Sequence, residues 1–308
     1  MIIDYIDDHC EEFGVEPICR ELGKAGVKIA PSTYYARKKR PTSARAVRDT
    51  VMMPILLALW IGNKKVYGAH KLWKAARRDG HEIGRDQVAR LMRELGIRGV
   101  WRRRKRVFTT MAGPDAVRAP DLVNCDFIAD RPDALWVTDL TYVPTRSGMV
   151  YVCFIVDAFS RRIVGWRVAS SMKTGMVLDA LEMARRSRGS KGLIGLVTHS
   201  DAGSQFTSVR FTERLDEFGA TPSIGTVADS YDNALAETIN GLYKTERIYG
   251  PDATGWDDVY HIELATLSWV HWFNHQRLRS HCNDTPPAEF EAAHYAAQQA
   301  TPHGIGIQ

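Results

Sequence analysis

The chain has 308 residues, 44% hydrophobic and 25% charged, which is the composition of a globular protein and not of a disordered or fibrous one. No apolar run approaches the roughly 20 residues that span a membrane, and the acidic opening MIIDYIDDHCEEFG lacks the apolar segment of a signal peptide, so a cytoplasmic protein is expected. Five scattered cysteines without a CxxC pair argue against a disulfide framework or a zinc ribbon. The charge is divided along the chain. Residues 1–120 hold 25 Lys+Arg against 13 Asp+Glu, whereas residues 121–308 hold 16 against 23. A basic front suits a polyanion, and an acidic back suits bound metal ions or a solvated acidic surface.

In chain order, residues 1–45 read as an N-terminal helical segment, with Ser32-Thr33 after Pro31 offering a cap and Arg37 to Arg40 a basic end. KKRPTSARAVRD reads as a polar, basic connector. Residues 50–75 look helical, and Gly80 closes that helix. In HEIGRDQVARLMRELGIRG, the positions Ile83, Val88, Leu91, Met92 and Leu95 mark one helix face. Gly84-Arg85-Asp86 offers the turn and cap before it. This predicts a helix-turn-helix DNA-binding region over residues 50–107, presenting Arg85, Gln87, Arg90 and Arg93. The basic run Arg102, Arg103, Arg104, Lys105 and Arg106 follows at once and favours nucleic acid over the alternative, a basic helix packed in a bundle. Trp101 suits either stacking on a sugar or base, or anchoring to the core.

Residues 108–131 have little periodicity and read as a linker. Beyond them the pattern turns strand-like in ALWVTDLTYV, GMVYVCFIVDAF and RRIVGWRVASS, whose short connections predict an antiparallel meander. A helix capped by Thr174 comes next, then a strand ending at Asp201, a helix over 208–219, a short strand in ATPSIGTV, and a helix starting near Asn233. Three strands, helix, strand, helix, strand, helix is the order of a ribonuclease-H-like fold. The expected architecture is therefore α/β, with a ribonuclease-H-like catalytic core over 132–250 behind an all-α helix-turn-helix region and ahead of a helical extension over 251–308.

Three acids sit where a metal site could form. Asp139 lies in an apolar strand, Asp201 ends the fourth strand, and Glu237 shares a helix face with Asn240, Gly241 and Lys244. A lone buried carboxylate costs several kcal/mol unless it is paired or coordinated. The first and fourth strands are neighbours in this fold, so their acids can meet. Three carboxylates suit Mg²⁺, a hard cation that takes oxygen ligands. Two such ions about 4 Å apart serve in-line phosphodiester chemistry.

The segments LWVTDLTYV, FIVDAFSRRIVGW, HSDAGSQFTS, YDNALAETINGLYKTE and WFNHQRL resemble the second-reading-frame transposases of the IS3 family of insertion sequences, relatives of retroviral integrases. The resemblance spans about residues 55–305, and VEPICRELG with APSTYY is similar to the family's N-terminal region. The family places 35 residues between its second Asp and its Glu, the spacing of Asp201 and Glu237 here, and a basic residue seven positions after the Glu, here Lys244. The resemblance thus implies that Asp139, Asp201 and Glu237 are catalytic and hold two Mg²⁺ ions, with Mn²⁺ as a substitute, and that Lys244 binds terminal DNA. It implies 3′-end cleavage and strand transfer at terminal inverted repeats, by a copy-out, paste-in route. Double-stranded DNA, a homo-oligomer on paired ends and an upstream-frame partner or fusion are its expected partners, with association to the nucleoid.

Other readings stand beside this one. Asp157 could join the site but more simply caps a turn or pairs with an Arg; Asp232 reads as a helix N-cap. His199 suits either substrate contact or structural support. His271 and His275 have zinc spacing without a third ligand, and read better as part of a helix closing the core, ended by TPPAEFE, with Arg277 and Arg279 near DNA. A non-catalytic DNA-binding regulator or inactive transposase subunit is the alternative function, and a nuclease acting on hybrids is a third. No nucleotide-binding or serine-hydrolase motif is present.

Overall fold

The computed structural model describes residues 2–101, 119–124, 126–189, 193–201, 203, 205–225 and 233–300. The chain divides after Ile55 into two compact units. The basic run Arg102 to Arg106, Asp232 and Cys125 lie outside the described residues.

The first unit contains α1 (Ile2–Phe13), α2 (Val15–Lys24) and α3 (Pro31–Lys39). Ile6, Val15, Ile18, Cys19 and Tyr34 form its core. The α3 cap is not Ser32-Thr33. Ala30 occupies the cap position in extended conformation, and Pro31 is the first helical residue. Proline fits that position because its missing N–H is an orphan there in any case.

Helix α4 (Ala44–Gly62) runs across the division. In the second unit the region expected as one helix over 50–75 is broken at residues 63–68, and α5 (Ala69–Arg78) follows. After a six-residue turn comes α6 (Arg85–Glu94). Ile83, Val88, Leu91 and Met92 are buried, as expected from the spacing, and so are Leu72, Ala75 and Ala76 of α5. Leu95 is only half-buried.

The sheet contains β1 (Leu135–Thr145), β2 (Gly148–Asp157), β3 (Ile163–Ala169), β4 (Val197–Ser200) and β5 (Thr221–Ile224), in the order β3-β2-β1-β4-β5. The first three strands form the expected antiparallel meander, and β4 and β5 add in parallel. Between them run α7 (Thr174–Arg188) and α8 (Val209–Glu217). Lys173 is the cap of α7 and Thr174 its first helical residue, with no side-chain cap. Alternation assigns the faces. Trp136, Cys153, Ile155 and Val164 point to the side of α7 and α8, whereas Leu135 and Val137 point to the other side, with Leu235 and Ala236 of α9 (Ala234–Tyr243). Gly165 lets α7 approach closely: a Cβ there would sit 2.3 Å from the Ala180 carbonyl oxygen.

Helix α9 continues into a π-helical turn, Lys244–Ile248. Helix α10 (Val259–His275) follows, and the α9 end and α10 share an aromatic cluster of Phe154, Tyr243 and Trp269. The segment TPPAEFE does not end this helix. It opens α11 (Pro287–Ala300), since Pro287 can begin a helix but not continue one. The end of the expected linker is docked on the sheet: Val123 is buried and the Leu122 N–H donates to Ser223 Oγ at 2.9 Å. No described helix is long and apolar enough to cross a membrane.

Candidate active site

Strands β1 and β4 pair in parallel through Val137–His199 and Thr138–Ser200, and there β4 ends. Strand β1 continues for seven residues, paired only with β2. Parallel strands that part at a reversal of strand order leave a crevice at their carboxyl ends, where α/β sheets bind ligands. Asp139 and Asp201 are the next residues on the two strands at that fork. By alternation Asp139 is on the face of Leu135 and Val137, which is the α9 face. Asp201 then turns the chain, accepting from the Gly203 N–H at 3.3 Å. A Cβ at position 203 would lie 3.1 Å from Asp201 Oδ1, so glycine keeps that carboxylate uncrowded.

Two asparagines tie α9 to the fork. Asn233, the cap residue in place of the expected Asp232, donates to the Thr138 carbonyl at 3.1 Å, and Asn240 donates to Asp139 Oδ2 at 2.9 Å. Asp139 Oδ1 accepts from the Leu140 N–H at 2.7 Å. Glu237 lies one turn from each asparagine and is exposed. Lys244 begins the π-helical turn, with Nζ 4.5 Å from the centre of the Tyr142 ring. Asn240 was visible in sequence only as a helix-face neighbour of Glu237. Asn233 and Tyr142 carried no signal, because their roles depend on strand β1 passing beneath α9.

The electrostatics are those of crowded acids. Burial, then the charges of Asp201 and Glu237, push the Asp139 carboxyl up to about 8, against the help of the Leu140 N–H and Asn240. Burial also raises Asp201, eased by the Gly203 N–H and His199. Burial lowers the Lys244 ammonium, and Asp139 partly restores it. Among the described residues Asp139 and Asp201 form no ion pair with Arg or Lys. No group of three His, Cys, Asp or Glu among the described residues is drawn together tightly enough to hold a metal ion as it stands. The donor set nonetheless fits a hard divalent cation. It is oxygen only, comes from three elements, and carries mutually repelling charge that such an ion would neutralise.

Other expected site residues fall elsewhere. Asp157 is fully buried and caps the turn after β2, accepting from Ser160 N, Ser160 Oγ and Asp133 N. His199 is fully buried, with Nδ1 2.9 Å from Ser223 Oγ and Phe127 edge-on to its ring, which is a structural role. Arg277 is not at a DNA-facing surface. It is buried against Glu246, with Nε 2.9 Å from Oε2, because the π-helical turn directs Glu246 inward. Burial and Arg277 lower the Arg279 guanidinium to about 10. The His271 and His275 rings lie 4.9 Å apart, tilted by 36°. On α6, Arg85 is exposed and bonds Asp86, while Gln87 and Arg90 are half-buried, with Arg90 bonded to Glu94 at 2.7 Å. Trp101 is 85% exposed.

Comparison with known proteins bears on this arrangement. Models of an integrase core domain match residues 129–230 and 219–287, and a model of an HTH-like domain matches residues 48–105. The transposase for insertion sequence element IS629 of Shigella sonnei is 48% identical over 297 residues, covering 95% of this chain and 96% of that protein. The transposase for insertion sequence element IS3411 of Escherichia coli is 47% identical over 188 residues, 59% of this chain and 75% of that protein. Among solved structures, the HTLV-2 integrase catalytic core domain in complex with magnesium matches 53% of this chain and 99% of its own, with TM-score 0.41 and 16% identity. The likeness to the Shigella protein runs through nearly the whole length of both chains. This chain therefore belongs to the IS3 family of insertion-sequence transposases, DDE polynucleotidyl transferases that carry an HTH-like domain ahead of an integrase core.

Proposed function

We propose that this chain cleaves the 3′ ends of its insertion sequence at the terminal inverted repeats and joins them to a second DNA site. The observation that carries the reading is the fork of β1 and β4. There Asp139 and Asp201 form no ion pair with Arg or Lys among the described residues, and Glu237 adds to the charge that, after burial and Asp201, pushes Asp139 up to about 8. Asp139, Asp201 and Glu237 would hold two Mg²⁺ ions. When bound, the ions supply Lewis acidity for in-line attack on a phosphodiester, and Mn²⁺ serves in their place.

The chain's own residues do the rest. Asn240 and the Leu140 N–H fix the two oxygens of Asp139, so its orientation is set before any ligand arrives. Asn233 anchors the first turn of the helix that carries Glu237. Lys244 offers a cation to the terminal phosphate, held over Tyr142. Water first displaces a 3′ oxygen at the element's end. The freed 3′-hydroxyl then attacks a second phosphodiester, expelling another 3′ oxygen, so no covalent link to the protein is needed. Helix α6, with Arg85, Gln87 and Arg90, enters the major groove of the repeat, and Arg102 to Arg106 add phosphate contacts. Two ends must be paired, so the working form is at least a dimer, with an upstream-frame product joining it as a partner or fusion. The family resemblance supports the copy-out, paste-in route.

The test incubates the purified chain, alone and fused to its upstream-frame product, with a labelled duplex ending in the element's repeat. Nicking and joined products are expected with Mg²⁺ and none with EDTA. Binding without cleavage in either form would leave the chain as a DNA-binding regulator. Hydrolysis without joining would favour a nuclease.

A further inference from the structure

Helices α2 and α3 repeat the turn of the helix-turn-helix formed by α5 and α6, although α6 also buries Leu91 and Met92 where α3 exposes Arg37 and Lys38. Both first helices have ten residues, and both turns have six, Ala25–Ala30 and Asp79–Gly84. The second turn residue is a left-handed glycine in each, Gly26 at φ 86° and Gly80 at φ 84°. The closing bonds are the same. Ala25, Gly26 and Val27 donate to Glu21, Gly23 and Leu22, and Asp79, Gly80 and His81 donate to Ala75, Arg77 and Ala76. The fifth turn residue is an isoleucine turned to the core, Ile29 or Ile83. The sixth is an extended cap, Ala30 at φ −85°, ψ 144° and Gly84 at φ −88°, ψ 151°. The fourth residue of each second helix is the first one buried, Tyr34 or Val88. The fourth residue of each first helix is buried as well, Ile18 or Leu72.

The surface of α3 fits the role that α6 has in its own pair. Tyr34 is the only fully buried residue of α3, so Ser32, Thr33, Tyr35, Ala36, Arg37 and Lys39 face outward. Charge is segregated within the unit. Helix α1 carries Asp4, Asp7, Asp8, Glu11 and Glu12 and no Lys or Arg, while α3 and the next residue carry Arg37, Lys38, Lys39 and Arg40 and no acid. Asp7 accepts from the Tyr34 hydroxyl at 2.7 Å and pairs with Lys38 at 2.9 Å, which locks α3 on α1. Arg37, Lys39 and Arg40 have no ion pair among the described residues. A repelling acidic face and a basic helix on one small unit orient it toward a polyanion.

We infer that residues 15–40 form a second helix-turn-helix, with α3 lying in the major groove of double-stranded DNA. Ser32, Thr33 and Ala36 face base edges, and Arg37, Lys39 and Arg40 hold phosphates. The inference rests on the proposed function only in taking DNA as the ligand.

The test uses the full chain with Asp201→Asn throughout, so that binding is read without cleavage. The probes are a duplex bearing the element's repeat and a scrambled duplex of equal length. The triple variant Thr33→Ala, Arg37→Ala, Lys39→Ala should bind the repeat about tenfold more weakly or worse. Its plot of log affinity against log salt should be shallower by about 2, for two lost phosphate contacts. One patch of the hydroxyl-radical footprint should vanish while the patch due to α6 remains. A photocrosslinker in place of Tyr35 should attach to the repeat, a readout that does not depend on how the triple variant folds. Unchanged affinity, slope and footprint, or a Tyr35 crosslinker that never reaches DNA while one at Arg85 does, overturns the inference. If the wild type shows no cleavage but the Tyr35 crosslink forms, the second module stands and the catalytic reading falls.

Discussion

Two groups of acids in the second unit have opposite fates. At the fork of β1 and β4, Asp139 and Asp201 form no ion pair with Arg or Lys among the described residues, and Asp139 is driven up to about 8. On α11, Glu291 is buried, yet Arg188 and Arg162 more than offset the effect of burial and hold it below the ordinary carboxylate value. Glu246 is likewise met by Arg277. A fixed cation turns an acid into a joint of the architecture, since removing either member leaves an uncompensated charge. An acid left without a cation has its unfavourable charge available for a ligand to relieve. Burial alone does not mark a site acid: Asp157 is fully buried, likewise forms no ion pair with Arg or Lys among the described residues, and caps a turn through donors on Ser160 and Asp133.

The sharpest way to break this comparison is to swap charge for shape. Asp201→Asn should reduce cleavage and joining of repeat duplexes by at least about a thousandfold while leaving the melting temperature unchanged or higher. A large loss of stability would place Asp201 with the architectural acids.

The opposite outcome is expected at the paired acid. Arg277→Met strands Glu246 in the core and should cost about 3–5 kcal/mol, read as a melting temperature lower by ~10 °C or more. The double variant Glu246→Gln, Arg277→Met should recover most of that. If it does not, the pair has a role beyond charge balance.

The smallest effect concerns pH. The folded-state value of Asp139 is raised from 3.8 to about 8, so its protonated form is favoured by folding. Its stabilising contribution is present below about 4 and is lost as pH rises through about 8. Metal-free wild type should therefore lose stability relative to Asp139→Asn between those limits. Since the side chain is partly exposed, solvent screening reduces the effect to about 1 kcal/mol, or ~2–4 °C in melting temperature. Mg²⁺ should remove the difference. Glu291 has the opposite sign: its contribution is present above its ordinary value of 4.5 and lost as pH falls through its lowered one.

Much of the fold was legible because it rests on local periodicity. The meander, the α/β order and the α6 face followed from alternation and from 3.6-residue spacing. Helix starts were less legible. Thr174, Ser32-Thr33 and Asp232 all have good capping chemistry, yet Lys173, Ala30 and Asn233 take the cap positions, because packing and prolines fix where a helix begins. The three acids proposed to hold metal stood out in the sequence as acids in unlikely places. The contacts of Asn240 with Asp139 and of Lys244 with Tyr142 were not readable, and Arg277 was misread as surface, because its partner Glu246 is 31 residues away and faces inward only through a π-helical turn.

The amino-acid sequence by itself determined the order of elements, the three acids and their spacing, since each depends on neighbours within a few turns or on covalent distance. Only the tertiary structure decided which buried charges are balanced. That balance depends on side chains brought together across long stretches of chain, where desolvation and the placing of a single guanidinium set whether an acid holds the fold or awaits a ligand.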